Sequence, residues 1–344
     1  MIRFECDYAE GAHPKVLELL NKSNFEQTPG YGEDIYCEKA RSIIKKLCKS
    51  DKAEVHFLVG GTQANTTVIA SILRPHQGAV CAETGHINVH ETGAIEATGH
   101  KVLTLPSTDG KITASQVQKL YDDHWNDASH EHMVQPGMVY ISNPTENGTL
   151  YTKDELTKLS EVCHKCDLPL YLDGARMGYG LMAEGNDLTL PDIASLCDVF
   201  YIGGTKVGAL FGEAVVITNT ALQKDFRYFI KQHGGMMAKG RLLGIQFIAL
   251  LEDNLYFEIS KHADELAYKI RDAFKEKGYS LLFDSPTNQQ FPIIPNAQLK
   301  VLEKKYVFSF WKQVDKDHSA VRFCTSWATK EEDVEQLLED IRSL

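Results

Sequence analysis

The stretch from Leu168 to Gly212 decides the fold. It reads LPLYLDGARMGYG at residues 168–180 and VFYIGGTKVGALFG at residues 199–212. The first apolar run ends at Asp173, and the second is followed by Gly-Gly-Thr and then Lys206. Buried parallel strands read as continuous apolar runs, and ligand-binding groups collect just beyond their carboxyl ends. We therefore expect the acid and the lysine to share one pocket.

The same alternation of apolar runs and helix-like segments extends over most of the chain. Further strands are predicted at 55–59, 79–83, 100–106, 138–142 and 212–218, with an antiparallel orientation open for the last. Helices of about ten or more residues between the strands indicate a mainly parallel sheet, and hence an α/β fold. Thr113, Thr152 and Thr329 are each followed three residues later by Gln or Glu, which predicts capping boxes that open helices.

From about residue 254 the pattern changes to helix, strand, strand, helix. That order is typical of a compact α+β unit. We therefore predict two domains. Residues 1–252 form a large domain that includes the amino-terminal segment, and residues 253–344 form a smaller α+β domain.

Composition excludes several classes of partner. The 344 residues carry 36 basic and 47 acidic side chains, a formal net charge of −11. Nucleic acids and anionic membranes both need a basic face, so neither is an expected partner. No apolar stretch approaches the roughly 20 residues that span a bilayer, and the charged amino terminus MIRFECDYAEG lacks the apolar region of a signal peptide. The expected location is therefore cytoplasmic, with the eight cysteines as free thiols.

Two other strand ends carry groups that suit a phosphorylated, flat ligand. Gly61 and Thr62 open a helix after a strand, where free backbone N–H groups and the helix dipole favour a phosphate. Thr62 can equally be an ordinary N-cap. His86 follows another strand, where it can stack on a flat cofactor or serve structure alone. A zinc site would need His86, His90 and further ligands, and the HExxH order is absent, so no metal site is predicted.

Together these groups suit pyridoxal 5'-phosphate (PLP), a cofactor that stabilises negative charge developing at the Cα of an amino acid. A carboxylate such as Asp173 holds a proton on the pyridine nitrogen, with helix N-capping as the alternative role. Lys206, flanked by glycines and apolar residues, is the candidate for the covalent bond to the cofactor aldehyde. Thr205 offers the phosphate a hydroxyl. Arg176 and Arg322 are candidates for bidentate binding of a substrate carboxylate.

From Asp7 to about Arg322 the sequence resembles the low-specificity L-threonine aldolase family, whose members are fold type I, aspartate-aminotransferase-like PLP enzymes. The matching motifs are Tyr31-Gly32-Glu33-Asp34, Gly61-Thr62-Gln63-Ala64-Asn65, Gly85-His86 with Glu91, Asp173-Gly174-Ala175-Arg176, Thr205-Lys206 and Gly234-Gly235-Met236. The resemblance implies a PLP-binding large domain with a mainly parallel sheet. It also implies a homodimer or homotetramer with active sites at the subunit interface, where the partner supplies the Tyr31 loop and the Gly234 segment.

Carried over by position, the resemblance implies a role for each matched residue. Lys206 would carry the cofactor, Asp173 contact its ring nitrogen, Gly61 and Thr62 hold its phosphate, His86 stack on its ring, and Arg176 and Arg322 bind the substrate carboxylate. Tyr31 and Cys6 are also expected on the substrate side. Cys6 stands in place of a family serine and Met237 in place of an arginine near the phosphate. A second family histidine aligns loosely with His132.

We therefore expect an aldehyde-lyase that cleaves a β-hydroxy-α-amino acid, threonine or allo-threonine, to glycine and acetaldehyde. Lys206 and Asp173 are the expected catalytic residues, with His86 as the first choice for the base and His132 as the second. The alternatives are a PLP-dependent β-eliminating lyase or aminotransferase on the same scaffold and, more distantly, a non-catalytic oligomeric binding module. The sequence leaves open the threo or allo preference and the choice between dimer and tetramer.

Overall fold

The computed structural model describes residues 1–344 and contains strands, α-helices and two short 3₁₀ helices. The strands are β1 (Ile2–Arg3), β2 (Glu54–Leu58), β3 (Gln77–Ala82), β4 (Lys101–Leu105), β5 (Gln135–Ser142), β6 (Leu170–Asp173), β7 (Val199–Gly203), β8 (Glu213–Ile217), β9 (Gln289–Gln290), β10 (Ile293–Pro295), β11 (Tyr306–Val307), β12 (Ser309–Gln313) and β13 (His318–Cys324). The helices are α1 (Pro14–Lys22), α2 (Ile35–Cys48), α3 (Gly61–Ile72), α4 (His86–Val89), α5 (Ala94–Ala97), α6 (Ala114–Asn126), α7 (Lys153–Lys165), α8 (Met177–Met182), α9 (Leu190–Leu196), α10 (Phe226–Gln232), α11 (Arg241–Leu251), α12 (Leu255–Glu276), α13 (Asn296–Leu302) and α14 (Glu331–Ser343). The 3₁₀ helices are His130–His132 and Thr220–Leu222.

Seven strands form the central sheet in the order β2-β8-β7-β6-β5-β3-β4. From β7 through β6, β5 and β3 to β4 all neighbours run parallel. Strand β8 is antiparallel to both β2 and β7, which settles the orientation that the sequence left open. The predicted mainly parallel α/β sheet is confirmed. Alternate strand residues enter two core clusters, of 45 and 19 buried residues, so both faces of the sheet are covered and the strands read as continuous apolar runs.

Strand periodicity also decides which side chains reach the carboxyl edge of the sheet together. Tyr140, Tyr171 and Tyr201 belong to the smaller core cluster and therefore project from one face. Asp173 lies two residues beyond Tyr171, and successive side chains of a strand alternate between faces. Asp173 consequently projects to the same face as the three tyrosines.

Local sequence signals fix the starts of several helices. Thr113 and Thr152 form capping boxes at α6 and α7, as predicted, and Thr189 forms a third with Asp192 at α9. The capping box predicted at Thr329 is wrong, because its hydroxyl accepts the N–H of Ser326 at 2.8 Å instead. None of the helices combines the length and the apolar composition that a membrane span requires.

The carboxyl-terminal elements form a separate packing unit that also takes in the amino terminus. Strand β13 pairs with β10, β12 and β9, and helices α12 and α14 pack beside them. Strand β1 pairs in parallel with β11, and Phe4 is fully buried in the same hydrophobic cluster as α12, β13 and α14. The division at residue 252 stays a prediction, and the first few residues lie with the carboxyl-terminal elements.

Candidate active site

A cavity of about 720 Å³ opens at the carboxyl edge of the sheet, between the sheet and strands β12 and β13. Most of the residues predicted from the sequence line this cavity: Gly61, Thr62, His86, Asp173, Arg176, Thr205, Lys206 and Arg322. They come from five separate loops and strands. Strands β2, β3, β6 and β7 run in one direction and end at the same edge of the sheet, while Arg322 reaches the cavity from β13.

Asp173 is buried at the end of β6, where four donors meet its carboxylate. Oδ1 accepts the hydroxyl of Tyr201 at 2.5 Å and the N–H of Ala175 at 3.0 Å. Oδ2 accepts the hydroxyl of Tyr140 at 2.6 Å and an amide N–H of Asn65 at 3.2 Å. Burial by itself would raise the pKa of Asp173, but nearby His86 and the two tyrosine hydroxyls bring it below its usual value. The site therefore holds a charged carboxylate in its floor.

The tyrosines that hold Asp173 remain donors at every physiological pH. Burial, together with the negative charge of Asp173, raises the pKa of Tyr140 and of Tyr201 well above 10. Each phenol therefore keeps its proton and directs it at the carboxylate. This arrangement holds the carboxylate with fixed dipoles and leaves its charge available to the cavity.

His86 begins the short helix α4 and is oriented by a buried acid. Its Nδ1 donates to Oε1 of Glu91 at 2.7 Å, and Asn65 donates to the same oxygen at 2.6 Å. Burial lowers the pKa of His86, but the hydrogen bond to Glu91 and the charges of Glu146 and Asp173 outweigh it, so the pKa lies above 6.5. Asn65 thus donates to both the carboxylate of Glu91 and the carboxylate of Asp173.

Lys206 lies in the turn after β7, and its amine has no hydrogen-bond partner in the chain. Its main-chain oxygen accepts the hydroxyl of Tyr179 at 2.6 Å. The neighbouring Thr205 donates its hydroxyl to Glu213 at 2.8 Å and accepts the N–H of Gly212 at 3.0 Å. The turn is therefore fixed from both sides while the lysine side chain stays free to react.

Glu213 is a buried acid that lines the same cavity. Burial raises its pKa to about 8, against the opposing effects of Thr205, Lys206 and the N–H of Gly204; the charge of Asp173 raises it further. The sequence did not predict this residue, because an acid at the first position of a strand is expected to be exposed to solvent.

The amino terminus of α3 supplies the predicted phosphate seat. Gly60 precedes the helix without a side-chain cap, and Gly61 and Thr62 begin it. Their backbone N–H groups belong to the first helical turn, which has no intrahelical acceptor for them. Thr62 is exposed and no N-cap hydrogen bond from it is observed, so the alternative role as an N-cap is wrong.

Arg176 is held by an acid from the amino-terminal segment. Its Nε donates to Oδ2 of Asp7 at 2.7 Å and its Nη2 to Oδ1 at 3.1 Å, with both side chains buried. Asn288 also donates to Asp7 at 2.9 Å. Nη1 of Arg176 donates to no protein group and belongs to a residue that lines the cavity. The sequence predicted the arginine but not its partner.

Arg322 reaches the cavity from β13 in the carboxyl-terminal unit. Nη1 donates to the side-chain oxygen of Gln289 at 3.0 Å, and Nη2 donates to the main-chain oxygen of Glu5 at 2.9 Å. Its guanidinium lies 5.7 Å from the ring centre of Trp311. The Nε of Arg322 is buried and has no hydrogen-bond partner.

Three predicted residues do not line this cavity. His132 is exposed in the 3₁₀ helix after α6, Cys6 is half-buried in the amino-terminal segment, and Tyr31 is 48% exposed beside Lys231. Met237, which stands in place of the family arginine, also does not line the cavity. Arg241, four positions later, does not take the place of that arginine, because it donates to the main-chain oxygens of Asn24 and Glu26.

The sequence matches known proteins over nearly its whole length. The model of the beta-eliminating lyase family matches residues 20–295. A low specificity L-threonine aldolase of Pseudomonas sp. (strain NCIMB 10558) is 30% identical over 99% of this chain and 97% of the relative. A low-specificity L-threonine aldolase of Candida albicans is 26% identical over 80% of this chain and 75% of the relative.

Solved structures agree with that placement. A threonine aldolase of Leishmania major is 44% identical, with a TM-score of 0.97 and coverage of 100% of this chain and 99% of that one. The aspartate aminotransferase of Thermus thermophilus, at 14% identity and a TM-score of 0.73 over 100% of this chain and 92% of that one, shares the fold. The fold is thus the aspartate-aminotransferase-like fold type I, and the chain belongs to the beta-eliminating lyase family, within its low-specificity L-threonine aldolase group.

Proposed function

We propose that this protein is a PLP-dependent aldehyde-lyase that cleaves threonine or allo-threonine to glycine and acetaldehyde. The observation that carries the proposal is that Asp173, Lys206 and His86 line one cavity together with Arg176 and Arg322. The names of the relatives in Pseudomonas, Candida albicans and Leishmania major support the same reaction.

The side chains of the cavity fit PLP. Asp173 is a charged carboxylate for the protonated ring nitrogen, and Lys206 is an amine without a protein partner. Gly61 and Thr62 offer first-turn N–H groups to the phosphate. Thr205 is a weaker candidate for the phosphate than expected, since its hydroxyl already serves Glu213 and Gly212. When bound, PLP supplies an electron sink for the charge that develops at Cα.

The two arginines line one cavity and suit a substrate carboxylate. Arg176 is fixed by Asp7, and Arg322 is fixed by Gln289 and the main chain of Glu5. Guanidinium groups that are held by other bonds need little reorganisation to bind an anion. They would orient the amino acid so that the Cα–Cβ bond lies in the position for cleavage, a positioning effect.

Cleavage requires a base for the β-hydroxyl proton, and His86 is placed for that role. Nδ1 is committed to Glu91, which leaves Nε2 as the nitrogen that can take a proton from the hydroxyl or through one water. As the proton leaves, the β-carbon becomes the aldehyde carbonyl and Cα later takes up a proton to give glycine. His90 lies with its ring 5.7 Å from His86 and also lines the cavity, so it is the nearest other histidine. His132 is exposed outside the cavity, and its assignment as second base stays a prediction without support in the geometry of one chain.

We further propose a homodimer or homotetramer in the cytoplasm. Several large apolar side chains near the Tyr31 loop are exposed in the single chain, including Phe25 at 95% and Tyr228 at 76%. Exposed apolar patches of this kind mark protein interfaces, and a partner subunit would bring its own Tyr31 loop to the cavity. The eight cysteines are all free, which suits a reducing compartment.

One product assay tests the function. Purified protein with PLP is incubated separately with the four threonine stereoisomers, serine and tyrosine, and aldehyde, glycine, pyruvate and ammonia are each measured. We expect acetaldehyde and glycine in equal amounts from threonine, and neither product from a Lys206→Ala variant. Pyruvate with ammonia as the main products would favour the β-eliminating alternative instead, and a protein that stays colourless with PLP would favour a binding module.

A further inference from the structure

We propose that Glu213 is a positioning residue for Lys206, which it serves by clamping the turn that carries the lysine and by placing a buried acid in the same cavity. The inference rests on the proposed function in that it takes Lys206 as the residue that carries PLP. Glu213 is the first residue of β8, and its side chain lies between the turn after β7 and the cavity.

The clamp consists of two hydrogen bonds to consecutive residues. Oε2 of Glu213 accepts the N–H of Gly204 at 3.1 Å, and Oε1 accepts the hydroxyl of Thr205 at 2.8 Å. Thr205 in turn accepts the N–H of Gly212, directly before Glu213. These bonds close a small ring of contacts between the end of β7 and the start of β8. The main chain immediately before Lys206 is thereby fixed, and only the lysine side chain is left to move.

Glu213 is only 3% exposed, so the clamp works in a site from which water is largely removed. The charged groups that face Glu213 are Lys206, on the turn after β7, and Asp173, on β6. Three phenols also lie near it, those of Tyr171 on β6, Tyr201 on β7 and Tyr256 on α12. Two carboxylates in one buried site cannot both ionise without a large cost. Asp173 has four hydrogen-bond donors and keeps the charge, so Glu213 is the acid that keeps a proton.

Protonation of Glu213 has a direct consequence for Lys206. A neutral carboxyl can donate its O–H to the hydroxyl oxygen of Thr205, so the clamp persists without a negative charge. Once ionised at higher pH, the carboxylate would add a negative charge that interacts with the lysine. Glu213 therefore determines whether a negative charge faces that nitrogen from β8.

Glu213→Gln and Glu213→Ala test both parts of the proposal in the PLP-loaded protein. Gln reproduces the neutral acid, because its amide N–H can donate to Thr205 and its oxygen can accept from Gly204, but it never ionises. We expect the pH midpoint of the visible absorbance band to fall by about one unit in Glu213→Gln. In Glu213→Ala the clamp is lost as well, and we expect the dissociation constant of PLP to rise about tenfold.

Asp264→Asn is the matched control, since Asp264 is also a buried acid, 1% exposed, but lies on α12 and does not line the cavity. The control should keep the midpoint and the PLP affinity of the original chain, and melting temperatures confirm that each variant is folded. An unchanged midpoint in Glu213→Gln, or unchanged PLP affinity in Glu213→Ala, overturns the proposal. Failure of the proposed function looks different, because the unmodified chain would then form no visible band with PLP, or Lys206→Ala would form the same one.

Discussion

Arg176 and Asp7 form a buried bidentate ion pair, although 169 positions separate them in the chain. Asn288 of the carboxyl-terminal unit donates to the same carboxylate. Three distant segments therefore meet behind the arginine that is proposed to bind the substrate. The pair orients that guanidinium, and it also ties the amino-terminal segment to both parts of the molecule.

Replacement of Asp7 should therefore affect both stability and substrate binding. Asp7→Asn leaves the guanidinium of Arg176 buried without an opposite charge, which costs about 3 kcal/mol of unfolding free energy. The arginine also becomes free to move, so we expect KM for threonine to rise more than kcat falls. Urea unfolding and steady-state kinetics measure the two effects.

The control for Asp7 is Asp253→Asn, which removes the charge from an ion pair with Lys15 at the surface. Exposed pairs contribute little to stability, so this variant should match the original chain in both measurements. If Asp7→Asn also matched the original chain in both measurements, the buried pair would neither stabilise the fold nor orient Arg176.

Asp7 also predicts a loss of stability in acid. Burial would raise its pKa, but Arg176, Lys206 and the hydrogen bonds from Arg176 and Asn288 lower it to about 2 from 3.8. A carboxyl whose pKa is lower in the folded state stabilises the fold at pH values above its pKa in the unfolded chain. That stabilisation is lost as the pH falls through the pKa of the folded state. We expect the free energy of unfolding to decline more steeply between pH 4 and pH 2 in the original chain than in Asp7→Asn. Parallel slopes in urea titrations at several pH values would contradict this.

Glu91 should set the pH at which the enzyme gains activity. The pKa of His86 lies above 6.5 because its hydrogen bond to Glu91 and the charges of Glu146 and Asp173 together outweigh burial. A base must be unprotonated, so kcat/KM should rise with pH through a value above 6.5. Glu91→Gln removes this charge, so that only Glu146 and Asp173 oppose burial, and the rise should move to lower pH by about one unit.

The measurement is the pH profile of kcat/KM for threonine, with Glu96→Gln as a control. Glu96 is an exposed acid of α5 and has no hydrogen bond to His86. Its profile should coincide with that of the original chain. If Glu91→Gln left the pH profile of kcat/KM unchanged, His86 would not be the base.

The sequence allowed most of the strands and the cavity-lining residues to be predicted, because both depend on local pattern. Continuous apolar runs mark the buried parallel strands, and Asp173 and Lys206 directly follow two of them. The partners of these residues could not be predicted in the same way. Tyr201 meets Asp173 through the register of neighbouring strands, and Asp7 meets Arg176 across 169 positions. Such contacts depend on how whole elements pack, which no short segment encodes.

The tyrosines around Asp173 should control how tightly PLP binds. Tyr201→Phe removes the 2.5 Å hydrogen bond to Oδ1 and leaves the carboxylate with less support for its charge. A hydrogen bond to a charged group contributes about 1.5–3 kcal/mol, so PLP should bind at least tenfold more weakly. Tyr306→Phe is the matched control, since its hydroxyl donates to Asp340 in the carboxyl-terminal unit. Equal dissociation constants for the two variants, measured by fluorescence titration, would show that the phenol of Tyr201 does not support the cofactor site.

Gly61 should be sensitive to a single added methyl group because of this same tyrosine. A Cβ at Gly61 would lie 3.1 Å from the hydroxyl oxygen of Tyr201, closer than such contacts normally are. Gly61→Ala should therefore displace the phenol from Asp173 and weaken PLP binding several-fold, although alanine favours helix formation more than glycine does. Gly60→Ala adds a methyl group that meets open space at the same helix terminus. PLP titration of both variants distinguishes the contact with Tyr201 from the general effect of replacing a glycine. Only Gly61→Ala should bind PLP several-fold more weakly, and its melting temperature should stay unchanged. If Gly60→Ala lost as much affinity, the effect would belong to the helix terminus and not to Tyr201.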